Sequence, residues 1–259
     1  MDFEIGDLVT RNSYNNDTVF VITDIIDSIC YLKGENIRLC ADSEMSDLKK
    51  FNEIDEENKK FENRIKPNFK LNREDYFYLP GKILHIDGDV DYLNKCLNYY
   101  KQANIWAMGI NESEENVPLY IKDWLEEYNP NIVVITGHDA YYKKKGKQDN
   151  INAYKNSSNF VASVKEARKF EKSHDKLIII AGACQSDYEE LIKAGANFAS
   201  SPKRINIHAL DPALIATKMS LSDANQDIDL KGIIETTKYG KDGIGGVITK
   251  GTMYVGYPR

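Results

Sequence analysis

From residue 80 onward the chain alternates short apolar runs with longer amphipathic segments, and this alternation limits the possible folds most. "KILHID" (82–87), "IWAMGI" (105–110), "NIVVITG" (131–137), "KLIIIAGA" (176–183) and "NFASS" (197–201) read as strands. Between them, "VDYLNKCLNYYKQAN", "YIKDWLEEY", "NFVASVKEARKFEK" and "DYEELIKAGA" read as helices; in the first, Val90, Leu93, Leu97 and Tyr100 share one face. Strands with no polar face, each followed by a helix, predict an α/β fold with a parallel sheet covered on both faces. Beyond Ser201 the pattern loosens. "DPALIATKMS" and "LKGIIETTKYG" read as helices, and "GGVITKGTMYVGYP" as a terminal hairpin turning at Lys250-Gly251.

The earlier part of the chain has a different texture. "FEIGDLVTRNSYNNDTVFVITDII" carries β-branched and aromatic runs broken by turn residues, and "YLKGENIRLC" reads as a hairpin with Gly34 near its turn. Residues 1–45 therefore form a small β-rich domain, and Gly6-Asp7 before an apolar pair resembles the opening of SH3-like β-barrels. In residues 44–66, Leu48, Phe51, Ile54, Phe61 and Ile65 fall at helical spacing among dense charge, with Pro67 as a stop. Residues 46–79 are accordingly expected as a charged helical linker, and residues 80–259 as the main domain.

Composition removes several function classes. A formal charge of −6 argues against nucleic acid as a partner. No run approaches the roughly 18–20 apolar residues of a membrane span. "MDFEIGDLVT" has neither the basic start nor the apolar core of a signal peptide, so a cytoplasmic location is expected. The four cysteines, Cys30, Cys40, Cys96 and Cys184, form no CxxC pair, which disfavours a disulfide framework or a zinc ribbon. His85, His174 and His208 have no metal-ligand spacing, and neither metal nor cofactor is expected. Nothing in the pattern indicates an oligomeric state.

In open α/β sheets functional groups gather beyond the carboxyl ends of the strands. The residues found there are Asp87-Gly88-Asp89, Gly137-His138-Asp139 and Gly182-Ala183-Cys184-Gln185. A right-handed crossover makes the third and fourth strands parallel neighbours, which brings His138 and Cys184 to one edge. A histidine beside a cysteine favours the nucleophilic thiolate, and a helix starting near Ser186 adds the positive end of its dipole. Gly137 and Gly182 permit tight turns off the strands and leave room for a substrate backbone. Asp139 and the lysines of "YYKKKGKQDN" read as surface groups beside this edge. His85 reads as a hydrogen-bonded core residue, and His208 as a structural residue more than a cleft-lining one. Class I glutamine amidotransferases share a "GAC"-like turn, but their cysteine precedes the histidine; here the histidine comes first.

An apolar strand ending in His, followed about fifty residues later by one ending in Ala-Cys, resembles the caspase-like cysteine peptidases. "PGKILHIDGD", "CLNYYKQANI", "VVITGHDAY" and "AGACQSDYEELIKAGANFASSPKRINIHALDP", with the opening "FEIGDLVTRNSY", are similar to the YabG family of sporulation-specific proteases. The resemblance implies a cysteine endopeptidase of the mother-cell cytoplasm, associated with the spore coat. It would process coat and cortex-associated proteins, cutting after basic residues, chiefly Arg. It also implies Cys184 as nucleophile, His138 as acid–base partner, and backbone N–H groups of Gly137 and Cys184 around the oxyanion. A basic side chain before the cut requires buried carboxylates, and the matching places hold Asp87, Asp89 and Asp187. As plain structural residues, Asp89 would cap one helix and Asp187 would open another. Two other classes stay open: an amidase or amidotransferase using the same Cys and His, and a non-catalytic spore-coat assembly factor.

Overall fold

The computed structural model describes residues 3–51, 56–67 and 75–258 and divides the chain into two compact units, Met1–Arg64 and Ile65–Arg259.

The first unit is an antiparallel sheet with a helix after it. Its strands are β1 (Leu8–Arg11), β2 (Phe20–Ile26), β3 (Ile29–Gly34), β4 (Cys40–Glu44) and β5 (Leu48–Lys50), in the spatial order β4-β3-β2-β1-β5; helix α1 spans Glu56–Arg64. Alternation fixes the buried face: Val9, Phe20, Ile22, Cys30, Leu32 and Leu48 pack together. The β3–β4 hairpin forms as expected, with Gly34 N–H bonded to Leu39 O at 2.7 Å. β4 and β5 are the sheet edges, and no ladder joins them among the described residues, so the pairings define an open sheet.

The helix expected over 44–66 is present only as α1. Residues 48–50 instead pair with β1, Val9 facing Lys50 and Arg11 facing Leu48. Leu48 serves the sheet core as well as it would a helix face. The turn before it is fixed when Asp47 accepts from Ser13, N–H at 2.8 Å and Oγ at 2.6 Å. Ile54, counted in the same stripe, lies outside the described residues.

The second unit carries the alternating pattern. It contains β6 (Phe77–Leu79), β7 (Ile83–Asp87), α2 (Val90–Gln102), β8 (Ala107–Asn111), α3 (Val117–Tyr128), β9 (Ile132–Thr136), α4 (Ser157–Phe170), β10 (Ile178–Ala181), α5 (Tyr188–Ala194), β11 (Phe198–Ser200), α6 (Asp211–Ser220), α7 (Leu230–Ile234), β12 (Ile244–Gly246) and β13 (Tyr254–Gly256). Six strands form one sheet in the order β12-β11-β10-β9-β7-β8, parallel throughout except at β11–β12. Leu84, Ile86, Val133, Ile135, Ile179 and Ala181 point to one face, where α3, α4 and α5 pack with Ile121, Leu125, Phe160, Val164 and Leu191. The alternate residues meet α2 and α6 on the other face, where His85 Nδ1 lies 2.8 Å from Tyr100 Oη. Both faces are covered, which is why the strands carry no polar stripe.

The terminal segment departs from expectation. Its two arms do not pair with each other: β12 runs antiparallel to β11, while β13 pairs with β6. Lys250-Gly251 is therefore a connection between two sheets. Local turn chemistry favoured a hairpin, but β11 and β6 offered edges whose pairing partners lie far away in sequence.

Candidate active site

β9 and β10 lie side by side in register, with Ile135 opposite Ala181. The turns leaving them are stitched at the base: Gly182 N–H donates to Ile135 O at 3.0 Å, and Thr136 Oγ1 donates to Gly182 O at 2.9 Å. The Gly137-His138 and Ala183-Cys184 turns thus leave one edge of the sheet together. Gly182 has φ +99, a conformation that side chains rarely adopt, and a Cβ there would stand 2.8 Å from Leu191 Cδ1.

His138 projects toward α2. Its Nε2 lies 3.6 Å from Asp89 Oδ2, and its ring sits 5.9 Å from the Tyr92 ring. At 3.6 Å this is longer than a hydrogen bond, and it is an ion pair only when His138 is protonated. Asp89 also N-caps α2, accepting from Asp91 N–H at 2.9 Å and Tyr92 N–H at 3.3 Å. Asp87 is fully buried, accepts Asp89 N–H at 3.0 Å and faces His85 Nε2 at 3.6 Å. Cys184 is fully buried as well. Its Sγ accepts Ile207 N–H at 3.3 Å and lies 3.8 Å from Ile207 O.

Asp139, read from sequence as a surface group, is buried. It does not turn back to His138; its carboxylate joins the two turns from below. Oδ1 accepts from Ala140 N–H at 2.9 Å and Asn156 N–H at 2.7 Å. Oδ2 accepts from Ser157 Oγ at 2.5 Å and Ser186 Oγ at 2.8 Å. Ser186 Oγ in turn accepts Ala183 N–H at 2.9 Å, next to the cysteine, and Ser157 Oγ accepts Asp187 N–H at 2.8 Å. Burial raises the Asp139 pKa, while these four hydrogen bonds pull it down without cancelling the rise.

Asp187 N-caps α5 and is buried, with Oδ1 3.4 Å from Arg204 Nη2 and Oδ2 without a hydrogen-bond partner among the described residues. Burial raises its pKa against the hydrogen bond from Glu190 N–H and the Arg204 charge. Its position suits the capping reading and leaves one carboxylate oxygen unused. His208 lies at the start of α6, where its Nδ1 accepts Leu210 N–H at 3.1 Å.

One residue beside these turns escaped the sequence reading. Glu114, after β8, accepts His138 N–H at 2.7 Å, and a Cβ at Gly137 would fall 2.2 Å from its Oε1. A side chain at Gly137 would push the Glu114 carboxylate away from the His138 N–H. The second strand end holds this residue, and applying the strand-end rule to β8 as well would have found it. Gln185 accepts Tyr141 N–H at 3.2 Å and donates to Asn206 Oδ1 at 3.1 Å, joining three loops beside the cysteine. Glu114→Ala is expected to lower kcat/KM by up to about a hundredfold through misplacement of His138, with Glu114→Gln restoring most of it. Equal losses in the two variants would show that charge, not the hydrogen bond, matters.

A cavity of about 480 Å³ lies elsewhere, at the amino ends of the strands, lined among others by Lys82, Asn131, Lys176 and Thr252. It touches none of these groups.

On this parallel sheet the turns carrying His138 and Cys184 leave adjacent strand ends, and comparison with known proteins places the chain among peptidases. The family model described as YabG peptidase U57 matches residues 4–74 and 54–258. The "Sporulation-specific protease YabG" of Bacillus subtilis (strain 168) is 42% identical over 286 aligned positions, covering 100% of this chain and 99% of that protein. The chain belongs to the YabG peptidase family. Among the described residues no helix is long and apolar enough to cross a membrane.

Proposed function

We propose that the chain is a sporulation-specific cysteine endopeptidase working through a Cys184–His138 dyad. The observation that carries this reading is the β9–β10 pairing, which sends both turns from one sheet edge, with Asp139 joining them. Cys184 attacks the scissile carbonyl, and the oxyanion is held by backbone N–H groups of Gly137 and Cys184. His138 takes the thiol proton, passes it to the leaving amine, and then activates the water that hydrolyses the thioester. Asp89, 3.6 Å from Nε2, favours the imidazolium that forms.

The substrates in this reading are spore coat and cortex-associated proteins cut after Arg or Lys, in the mother-cell cytoplasm or at the coat. Asp87, Asp89 and Asp187 supply negative charge at the ends of β7 and the start of α5, and Asp187 keeps a buried oxygen in need of a donor. The domain reading keeps a small N-terminal β module, a connecting segment and the peptidase unit.

Incubating the pure protein with a mixed peptide library and reading the residue before each cut tests the specificity. Cuts after Arg and Lys are expected, whereas a preference for acidic residues rejects the pocket. Turnover of an Arg-amide against a Gln-type amide separates the endopeptidase from an amidase.

A further inference from the structure

Cys184 cannot be reached by a peptide in this conformation, because residues 201–207, here called the strap, cover it. Ile207 N–H sits on Sγ, and Gln185 N–H, the next residue's amide, donates to Ile205 O at 3.0 Å. Two strap residues, Ser201 and Arg204, have φ of 72 and 54, left-handed conformations that cost side-chain-bearing residues about 1 kcal/mol or more each. A strap so shaped needs something to hold it shut.

That holder is Arg204. Its side chain is only 7% exposed. Its guanidinium reaches Glu189 Oε2 through Nη2 in a very short contact, lies 3.4 Å from Asp187 Oδ1, and donates to Tyr154 Oη at 2.7 Å through Nε. Nη1 reaches Ser201 O at 3.3 Å and Pro202 O at 3.4 Å. Burial alone would depress its pKa, but Glu189 and Tyr154 hold it above the ordinary value. For Glu189, burial acts upward, and the Arg204 hydrogen bond, a backbone hydrogen bond and the Arg204 and Lys193 charges together outweigh it, leaving the carboxyl below its usual range.

The fit is incomplete at one point. Asp187 is 1% exposed, and its Oδ2 has no hydrogen-bond partner among the described residues although its neighbour Oδ1 faces Arg204. A guanidinium arriving on another chain can engage both oxygens in the forked geometry that arginine–carboxylate pairs favour. Arg204, tethered by a short strap, reaches only one.

We propose that Asp187, Glu189 and Tyr154 form a guanidinium-binding site, filled at rest by Arg204, whose displacement by a basic residue of the substrate lifts the strap from Cys184. This rests on the reading of Cys184 as nucleophile and of the enzyme as cutting after basic residues. The same pocket then recognises the substrate and unlocks the thiol, so a chain lacking a basic side chain fails at both steps.

Iodoacetamide alkylation of the Cys184 peptide in the full-length protein, followed by mass spectrometry, tests it without depending on turnover. Agmatine, a small guanidinium, is expected to speed wild-type alkylation at Cys184. Arg204→Ala is expected to speed it by about tenfold or more without agmatine, the shift produced by losing charge-assisted hydrogen bonds to the closed state, and agmatine then adds nothing. Glu189→Gln, altered at a half-exposed side chain, should fall between the two and serves if Arg204→Ala does not fold. Wild-type alkylation rates in the variants, or no agmatine effect on the wild type, overturn the proposal. A Cys184 that becomes reactive in an enzyme cutting no peptide rejects the peptidase mechanism and leaves the strap standing.

Discussion

Cys184→Ala is expected to reduce peptide cleavage by at least about ten-thousandfold, because in the proposed mechanism the sulfur that would form the thioester is gone. The protein should remain folded. The substitution removes one sulfur from a small buried pocket and two weak contacts with Ile207, a loss of about 1–2 kcal/mol. Turnover of an Arg-amide substrate, read beside a thermal melt, checks both halves. The same change at Cys40, which is exposed, serves as the control and should leave turnover intact. Activity of Cys184→Ala within tenfold of wild type would reject the nucleophile outright.

The second large effect is expected at Asp139, and it is one of stability as much as of rate. Asp139→Ala leaves Ser157, Ser186 and two backbone N–H groups facing an empty space, at a cost of about 3 kcal/mol or more. In a unit of this size that lowers the melting temperature by about 6–12 °C. Activity should fall with it, since the Ala183 amide beside the nucleophile hangs on Ser186.

The pH dependence has a definite sign. Burial raises the folded pKa of Asp139 above the ordinary 3.8, so folding favours its protonated form. That contribution is fully present below the ordinary carboxyl value and fades as pH rises through the higher folded one. The stability of wild type minus that of Asp139→Asn should therefore decline across this window and level off above it. Denaturant titrations at stepped pH would read the difference, and a difference that grows with pH there would refute the assignment.

The main sheet was legible from the chain because its signal is local: each strand is a run of residues with both faces buried. The pairing of β9 with β10 followed from chain order and handedness, and it brought the strand-end residues His138 and Cys184 to one edge. What stayed hidden was every feature made by distant groups. Nothing near Asp139 in sequence shows that Ser157 and Ser186 bury it. Arg204, in "SSPKRIN", looks like one more loop cation until the fold carries it to Glu189 and Tyr154. The strand at 48–50 was hidden for another reason: Leu48 satisfies a helical stripe and an alternating strand equally, and the partner β1 decides between them.

The β6–β13 pairing sets the order in which a newly made chain can finish itself. Tyr254–Gly256 supplies the partner of Phe77–Leu79, so the first described strand of the second unit waits for the last described one. All ladders of the first unit, by contrast, close within its own residues, and it can settle while the rest is still being made. A ribosome-bound intermediate would thus carry a folded β module ahead of an incomplete peptidase. The peptidase unit would gain the β6–β13 pairing only once its other described strands have been made.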